Sequence, residues 1–162
     1  MRIWSVLKKL SLQELFLLAV LMLRKPLLIF PTLKATKLTM SVCDNLYGKA
    51  HHANGKENAF RHALWNLLIC QKVFKITKNV EKSIAWAQKV TDLHEKLAPN
   101  PPLEEAMDLH NNVLGRNYFI SIQYVSEEET IAFLIKKIEE AQSVSTIGEI
   151  DKHKNVLVYL LE

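Results

Sequence analysis

The chain has little glycine, little cysteine and no long hydrophobic run. Its 162 residues include four glycines, five prolines and two cysteines. So few glycines exclude a turn-rich all-β sandwich or barrel, which needs permissive residues at many tight hairpins. Cys43 and Cys70 have neither metal-knuckle spacing nor the partners of a disulfide framework. Both fall in helical patterns and read as reduced, buried thiols. The longest uninterrupted apolar run, Leu15 to Leu23, is nine residues, whereas a membrane-spanning helix needs about 20. Arg24, Lys25 and Pro26 follow that run, where a cleaved signal peptide would carry small residues. The expected location is therefore cytoplasmic, with peripheral membrane attachment left open. Aromatics are scattered and build no stacking platform for single-stranded nucleic acid.

What is present fits one globular domain: 49% hydrophobic and 23% charged residues, enough for a full core. The net charge of +4 is unevenly spread. Residues 1–56 hold nine Lys/Arg against Glu14 and Asp44, a balance of +7, so the remainder carries −3. A basic arm on a mildly acidic body suggests an anionic partner surface, or else a lysine-rich solvated face.

The segment "SLQELFLLAVLMLRKPLLIFPTL" is the most apolar part of the chain. Ser11 with Glu14 forms a capping-box pattern that predicts a helix from Leu12. Three readings stand: a core helix followed by an extended "PLLIF", an interfacial arm, or an uncleaved signal anchor. In the second, Trp4, Phe16 and the leucines insert, with Lys8, Lys9, Arg24 and Lys25 at headgroup level. Residues 1–30 are thus expected to form an arm on the body or on a membrane surface, and residues 31–162 a helical domain.

Within that domain Pro31 is placed to open a helix over about 32–47, closed by Gly48. Further helices are expected over about 57–75, 80–97 and from Leu103 past Gly115, with "APNPP" as a firm break. Ser126 before three glutamates starts a helix that runs to about Gln142. "NVLVYLL" reads as either a short strand or a last helical turn. The expected class is all-α or nearly so: a compact single-domain bundle of about five to six helices.

Chemistry-bearing residues concentrate in three of these helices. In "ENAFRHALWNLLIC" the apolar positions surround the helix, which places His62 in a buried polar pocket with Asn58 and Asn66; Glu57 and Arg61 are spaced to pair. "TDLHEKLAPN" holds Asp92, His94 and Glu95 at a helix end. "AMDLHNNVLGR" holds Asp108, Asn112 and Arg116 on one stripe, with Asn111, and with His110 on the apolar face. A lone core histidine is usually just packed. Three of them, each near Asp, Glu or Asn on successive helices, can converge as carboxylate–histidine sites do in bundles. His62, Asp92, His94, Asp108 and His110 are the candidate ligands should a divalent metal be the cofactor. The metal-free alternative is a histidine base oriented by a carboxylate, with Arg116 and asparagine amides stabilising an anion. His51 and His52 lie in a polar loop and are expected to be exposed, flanking a cleft at most.

"NAFRHALWN", "WAQKVTDLHE" and "AMDLHNNVLGR" together resemble an uncharacterised bacterial domain. It is seen at the carboxy-terminal ends of wall-associated, Rhs-like and other polymorphic-toxin proteins, and as short stand-alone proteins. The resemblance covers about residues 54–116 in three ordered blocks. It marks Arg61, His62 and Trp65, then Asp92, His94 and Glu95, then Asp108, Asn111, Asn112, Gly115 and Arg116. Asn58 departs from the pattern, which often has an acid there. The resemblance implies an effector-like, hydrolytic activity and names no substrate.

Two functions follow as expectations. The first is a small phosphoester hydrolase, phospholipid favoured over nucleic acid because of the basic, apolar amino terminus. Its catalytic groups would be His62, His94, Asp92, Glu95, Asp108 and Arg116, with Arg61, Trp65, Asn111 and Asn112 binding substrate. The second is a non-catalytic module whose buried polar network fixes the fold while the arm docks on a membrane or partner.

Overall fold

The computed structural model describes residues 23 and 25–161. The helix expected from Leu12 and the arm residues Trp4 to Phe16 lie outside them. The chain forms α1 (Pro26–Tyr47), a 3-10 turn (Ala50–His52), α2 (Lys56–Thr77), α3 (Val80–Leu97), α4 (Pro102–Ser121) and α5 (Glu127–Glu139). Then come β1 (Gln142–Val144), α6 (Ile147–Ile150) and β2 (Val158–Leu160). The fold is helical but for one short parallel pair of strands.

Helix α2 is the axis, with α1, α3, α4 and α5 all packed against it. Phe60, Leu64 and Leu67 on one side and Ile69 and Val73 on the other are all fully buried, so the apolar residues all round the helix have the surroundings they require. Helix α4 crosses it backbone to backbone at Gly115. A Cβ built there would lie 2.3 Å from the Ala63 carbonyl oxygen, so only glycine lets the two backbones meet. Helix α1 is tied on by two indoles: Trp65 Nε1 donates to Thr36 Oγ1 at 2.8 Å and Trp86 Nε1 to Thr32 Oγ1 at 2.9 Å. Those threonines lie one turn apart on one face.

Two element boundaries differ from expectation. Helix α1 starts at Pro26, so "PLLIF" is helical and Pro31 sits inside the helix. Pro26 already supplies the pre-set φ of a first turn. At Pro31 the carbonyl left without its N–H partner is that of Leu27, itself 76% exposed and open to water. Helix α5 starts after Ser126 as expected, closed by a capping box with Glu129, but ends at Glu139, and Gln142 opens β1 instead.

The "NVLVYLL" ambiguity resolves to a strand, and α4 is the reason. The Asn111 amide donates to the Val158 carbonyl at 2.8 Å and its oxygen accepts from the Val158 N–H at 3.0 Å. His110 Nε2–H donates to the Val156 carbonyl at 2.9 Å. An asparagine side chain thus serves the edge of β2 as a further strand would, while Val144, Ile150 and Val158 close over Met107. Among the described residues, no helix is long and apolar enough to cross a membrane.

Candidate functional site

Helix α4 turns its polar stripe inward. Asp108, Asn112 and Arg116 are each at most 6% exposed, while Val113 is 44% exposed. The apolar face is buried as expected at Met107 and Leu114, each at most 2% exposed, and the polar stripe turns inward as well because it has partners on α2 and α3. Asn112 is the hub. Its Oδ1 accepts from Asn66 Nδ2 and from His62 Nδ1–H at 3.2 Å, and its Nδ2 donates to Glu95 Oε1 at 3.1 Å. Arg116 Nη1 donates to Asn66 Oδ1 at 2.9 Å, and the Thr91 hydroxyl donates to that oxygen at 3.3 Å. Thr91 and Glu95 lie one turn apart on the buried face of α3.

The donors dictate the tautomer of His62. Arg61 Nη2 lies 2.9 Å from His62 Nε2. A guanidinium only donates, so Nε2 accepts and Nδ1 carries the proton given to Asn112. Burial foremost, then the charges of Arg61 and His94, holds the His62 pKa well below its ordinary value. The imidazole is therefore neutral at pH 7, and its contacts to Asp108 Oδ1 at 3.3 Å and Glu95 Oε1 at 3.8 Å are not ion pairs.

The two acids are perturbed in turn. Burial first, then the neighbouring Glu95 charge, pushes Asp108 up to about 7 against the pull of Arg61 and the Asn100 amide. Burial also raises Glu95, opposed by the Asn112 hydrogen bond and Arg61. Asn100 donates to Asp108 Oδ2 at 3.1 Å, whereas the buried Asp108 Oδ1 and Arg61 Nε have no hydrogen-bond partner. Leaving such groups unpaired costs on the order of 1–3 kcal/mol each, which a purely structural network would avoid.

Of the sequence candidates, His62, Glu95, Asp108, Asn112 and Arg61 come together. His94 is exposed in area, with its ring edge-on to Trp65 at 5.1 Å. Burial against its inner side, then the Arg61 charge, lowers its pKa. The indole N–H of Trp65 is committed to Thr36. Asp92 is half-buried and acts on Arg116, whose network reaches His62 only through Asn66 and Asn112. His110 and Asn111 serve β2 instead. Among the described residues the metal-donor group around His62 consists of His62, Glu95 and Asp108, and the expected ligands Asp92, His94 and His110 do not join it. Arg61 turns to His62 rather than to Glu57.

The sequence reading missed Thr91, Asn100 and the role of Asn66 as a link. Thr91 sits one turn before Glu95, a spacing that could have found it; Asn100, between two prolines, has no periodic signal. His51 is fully buried, contrary to expectation, because the 3-10 turn that carries it packs against α2 and α1; its ring nitrogen bonds Asp44 at the end of α1. Cys43 and Cys70 are free and buried, as expected, and burial pushes both thiols up to about 12.

Residues 19–142 match the model of a protein family described as a domain of unknown function, DUF6973. The chain belongs to the DUF6973 family. No curated protein and no solved structure matches it. The DUF6973 match contains the whole His62 cluster and reaches Gln142, the first residue of β1, while β2 lies beyond it.

Proposed function

We propose that this DUF6973 chain is a small helical hydrolase of phosphoester bonds, acting on phospholipid in preference to nucleic acid. The observation that carries the reading is His62 Nε2, a neutral buried base set between the Arg61 guanidinium at 2.9 Å and Asp108 Oδ1 at 3.3 Å. An anionic phosphoester that draws Arg61 into a charge-assisted contact uncovers the Nε2 lone pair. His62 then takes a proton from the attacking water, with Asn112 holding the tautomer through Nδ1. The water oxygen bonds to phosphorus, the ester P–O bond breaks, and the leaving oxygen takes the proton of Asp108, whose pKa near 7 suits that role. Half-buried Arg61 and exposed His94 and Asn100 are the solvent-facing neighbours of the cluster. The resemblance to polymorphic-toxin domains supports an effector role.

Phospholipid is favoured by the start of α1. Leu23, Leu27, Phe30 and Leu33 are exposed, with Lys34 Nζ over the Phe30 ring at 4.6 Å, and the sequence before them is basic and apolar. A second reading, a metal-assisted hydrolase, is favoured by the His62, Glu95 and Asp108 donors, whose ligand atoms lie within 4.8 Å of one another. Such a cation would supply a polarised water, and Arg61 would have to leave Nε2 to admit it.

The test is phosphorus NMR of the full chain with phosphatidylglycerol vesicles and, separately, with single-stranded RNA, each with and without chelator. Cleavage of lipid by the wild type, abolished in a His62→Gln variant of unchanged circular dichroism, is expected. Chelator-sensitive cleavage selects the metal reading. A folded wild type that cleaves neither substrate sinks the proposal. If His62→Gln then only lowers the melting temperature, the cluster is a structural network on a binding module.

A further inference from the structure

Outside the His62 cluster, the junction of α1 and α2 brings together a second set of donors, Asp44, His51 and His52. Helix α1 ends at Gly48, whose φ of +58° turns the chain sharply. The following 3-10 turn carries both histidines to one side of the helix end. Their rings stack with centroids 4.0 Å apart and a tilt of 38°. One nitrogen from each ring and a carboxylate oxygen of Asp44 lie within 4.8 Å of one another.

His51 is poorly compensated by protein alone. It is fully buried, and the one hydrogen bond it makes is from Nε2–H to Asp44 Oδ1 at 2.9 Å. Asp44 is itself exposed, so that bond is weakened by water. The buried Nδ1 has no partner. Tetrahedral ligands with bonds of about 2.0–2.2 Å stand about 3.3–3.6 Å apart, so His51 Nε2 and Asp44 Oδ1, now 2.9 Å apart, need only open by about half an ångström, which the exposed Asp44 side chain allows. His52 is exposed and offers a ring nitrogen to the same set. Neither cysteine belongs to the set.

We infer that Asp44, His51 and His52 form a divalent transition-metal site, with zinc the natural occupant of a two-imidazole, one-carboxylate set. The exposed side of His52 leaves a coordination position for water or an outside ligand. The site shares no donor with the His62 group and does not depend on its chemistry.

The test is calorimetric titration of tag-free, chelator-treated full chain with zinc chloride, beside Asp44→Asn/His52→Ala and His62→Gln. One equivalent of zinc bound by the wild type and by His62→Gln is expected. The double variant should bind at least about a hundredfold more weakly, beyond the 10–100-fold that loss of an outer-shell partner costs. Both replaced side chains are exposed, so the fold should persist; His52→Ala alone serves if it does not. Cobalt loading should give a visible absorption band in the wild type that the double variant lacks. Zinc uptake unchanged in a folded double variant, or no uptake by the wild type, overturns the inference.

Discussion

Each polar side chain around His62 is specified by what it can donate or accept. Asn112 does three jobs at once: it holds the His62 tautomer, accepts from Asn66 and donates to Glu95. Asn112→Ala takes this partner from a buried carboxylate, an imidazole N–H and one N–H of the Asn66 amide together. The expected cost is about 3 kcal/mol or more, read as a fall of roughly 10 °C in melting temperature.

Asp108 makes a prediction of opposite character. Its folded pKa of about 7 exceeds the ordinary 3.8, so between those values the native state holds a proton that the unfolded chain has lost. Its contribution is therefore full below the unfolded pKa and declines as pH rises toward 7. His62, with a depressed pKa, works in the other direction: its contribution is full above about 6.5 and is lost as pH falls through the folded value. Asp108→Asn removes only the declining part. Urea unfolding of wild type and variant should show their stability difference shifting in the variant's favour by a few kcal/mol, in order of magnitude, between pH 4 and pH 7.5. A pH-independent difference would contradict the raised pKa.

At the scale of elements, the register of α2 against α4 depends on Gly115. The atoms an added Cβ would strike are the Ala63 carbonyl oxygen, Cα and carbonyl carbon, all backbone. Gly115→Ala should therefore destabilise by about 3 kcal/mol or more, and Ala63→Gly should not rescue it, since no side chain stands in the way. Chemical denaturation of the single and double variants checks both statements. The helix displaced by that substitution carries Asp108 and Asn112, so any activity should fall more than the population of folded protein does.

For the whole molecule, the carboxy-terminal strands act as a clasp. A chain stopped at Ala141 loses Val144, Ile150 and Val158 from the cluster over Met107 and leaves the Asn111 amide without its strand. Burial of those three side chains is worth about 5 kcal/mol, comparable with the total stability of an ordinary domain. The truncated chain should show reduced helical circular dichroism at 25 °C, although it retains nearly all of the DUF6973 match.

The local sequence carried much of this architecture. The helix starts at Asn79 and Ser126 are side-chain caps, the break at "APNPP" is proline chemistry, and the two-sided apolar pattern of α2 requires a central helix. All are interactions within a few residues. The meeting of His62 with Glu95 and Asp108 was legible as residue types, because buried polar groups need partners and these blocks supplied them. Which candidates meet was a tertiary decision. Asp92 and Glu95 lie on one helix three residues apart, yet only Glu95 reaches His62; His110 and Asp108 differ by two positions, and His110 holds a strand instead. Helical phase narrows such choices but does not say which neighbour will be there, and the neighbour decides whether an inward polar stripe is a cost or a network. The strand at Val158–Leu160 is decided in the same way: its backbone groups are satisfied by Asn111, 47 residues away in sequence, and by β1, and no local propensity encodes either contact.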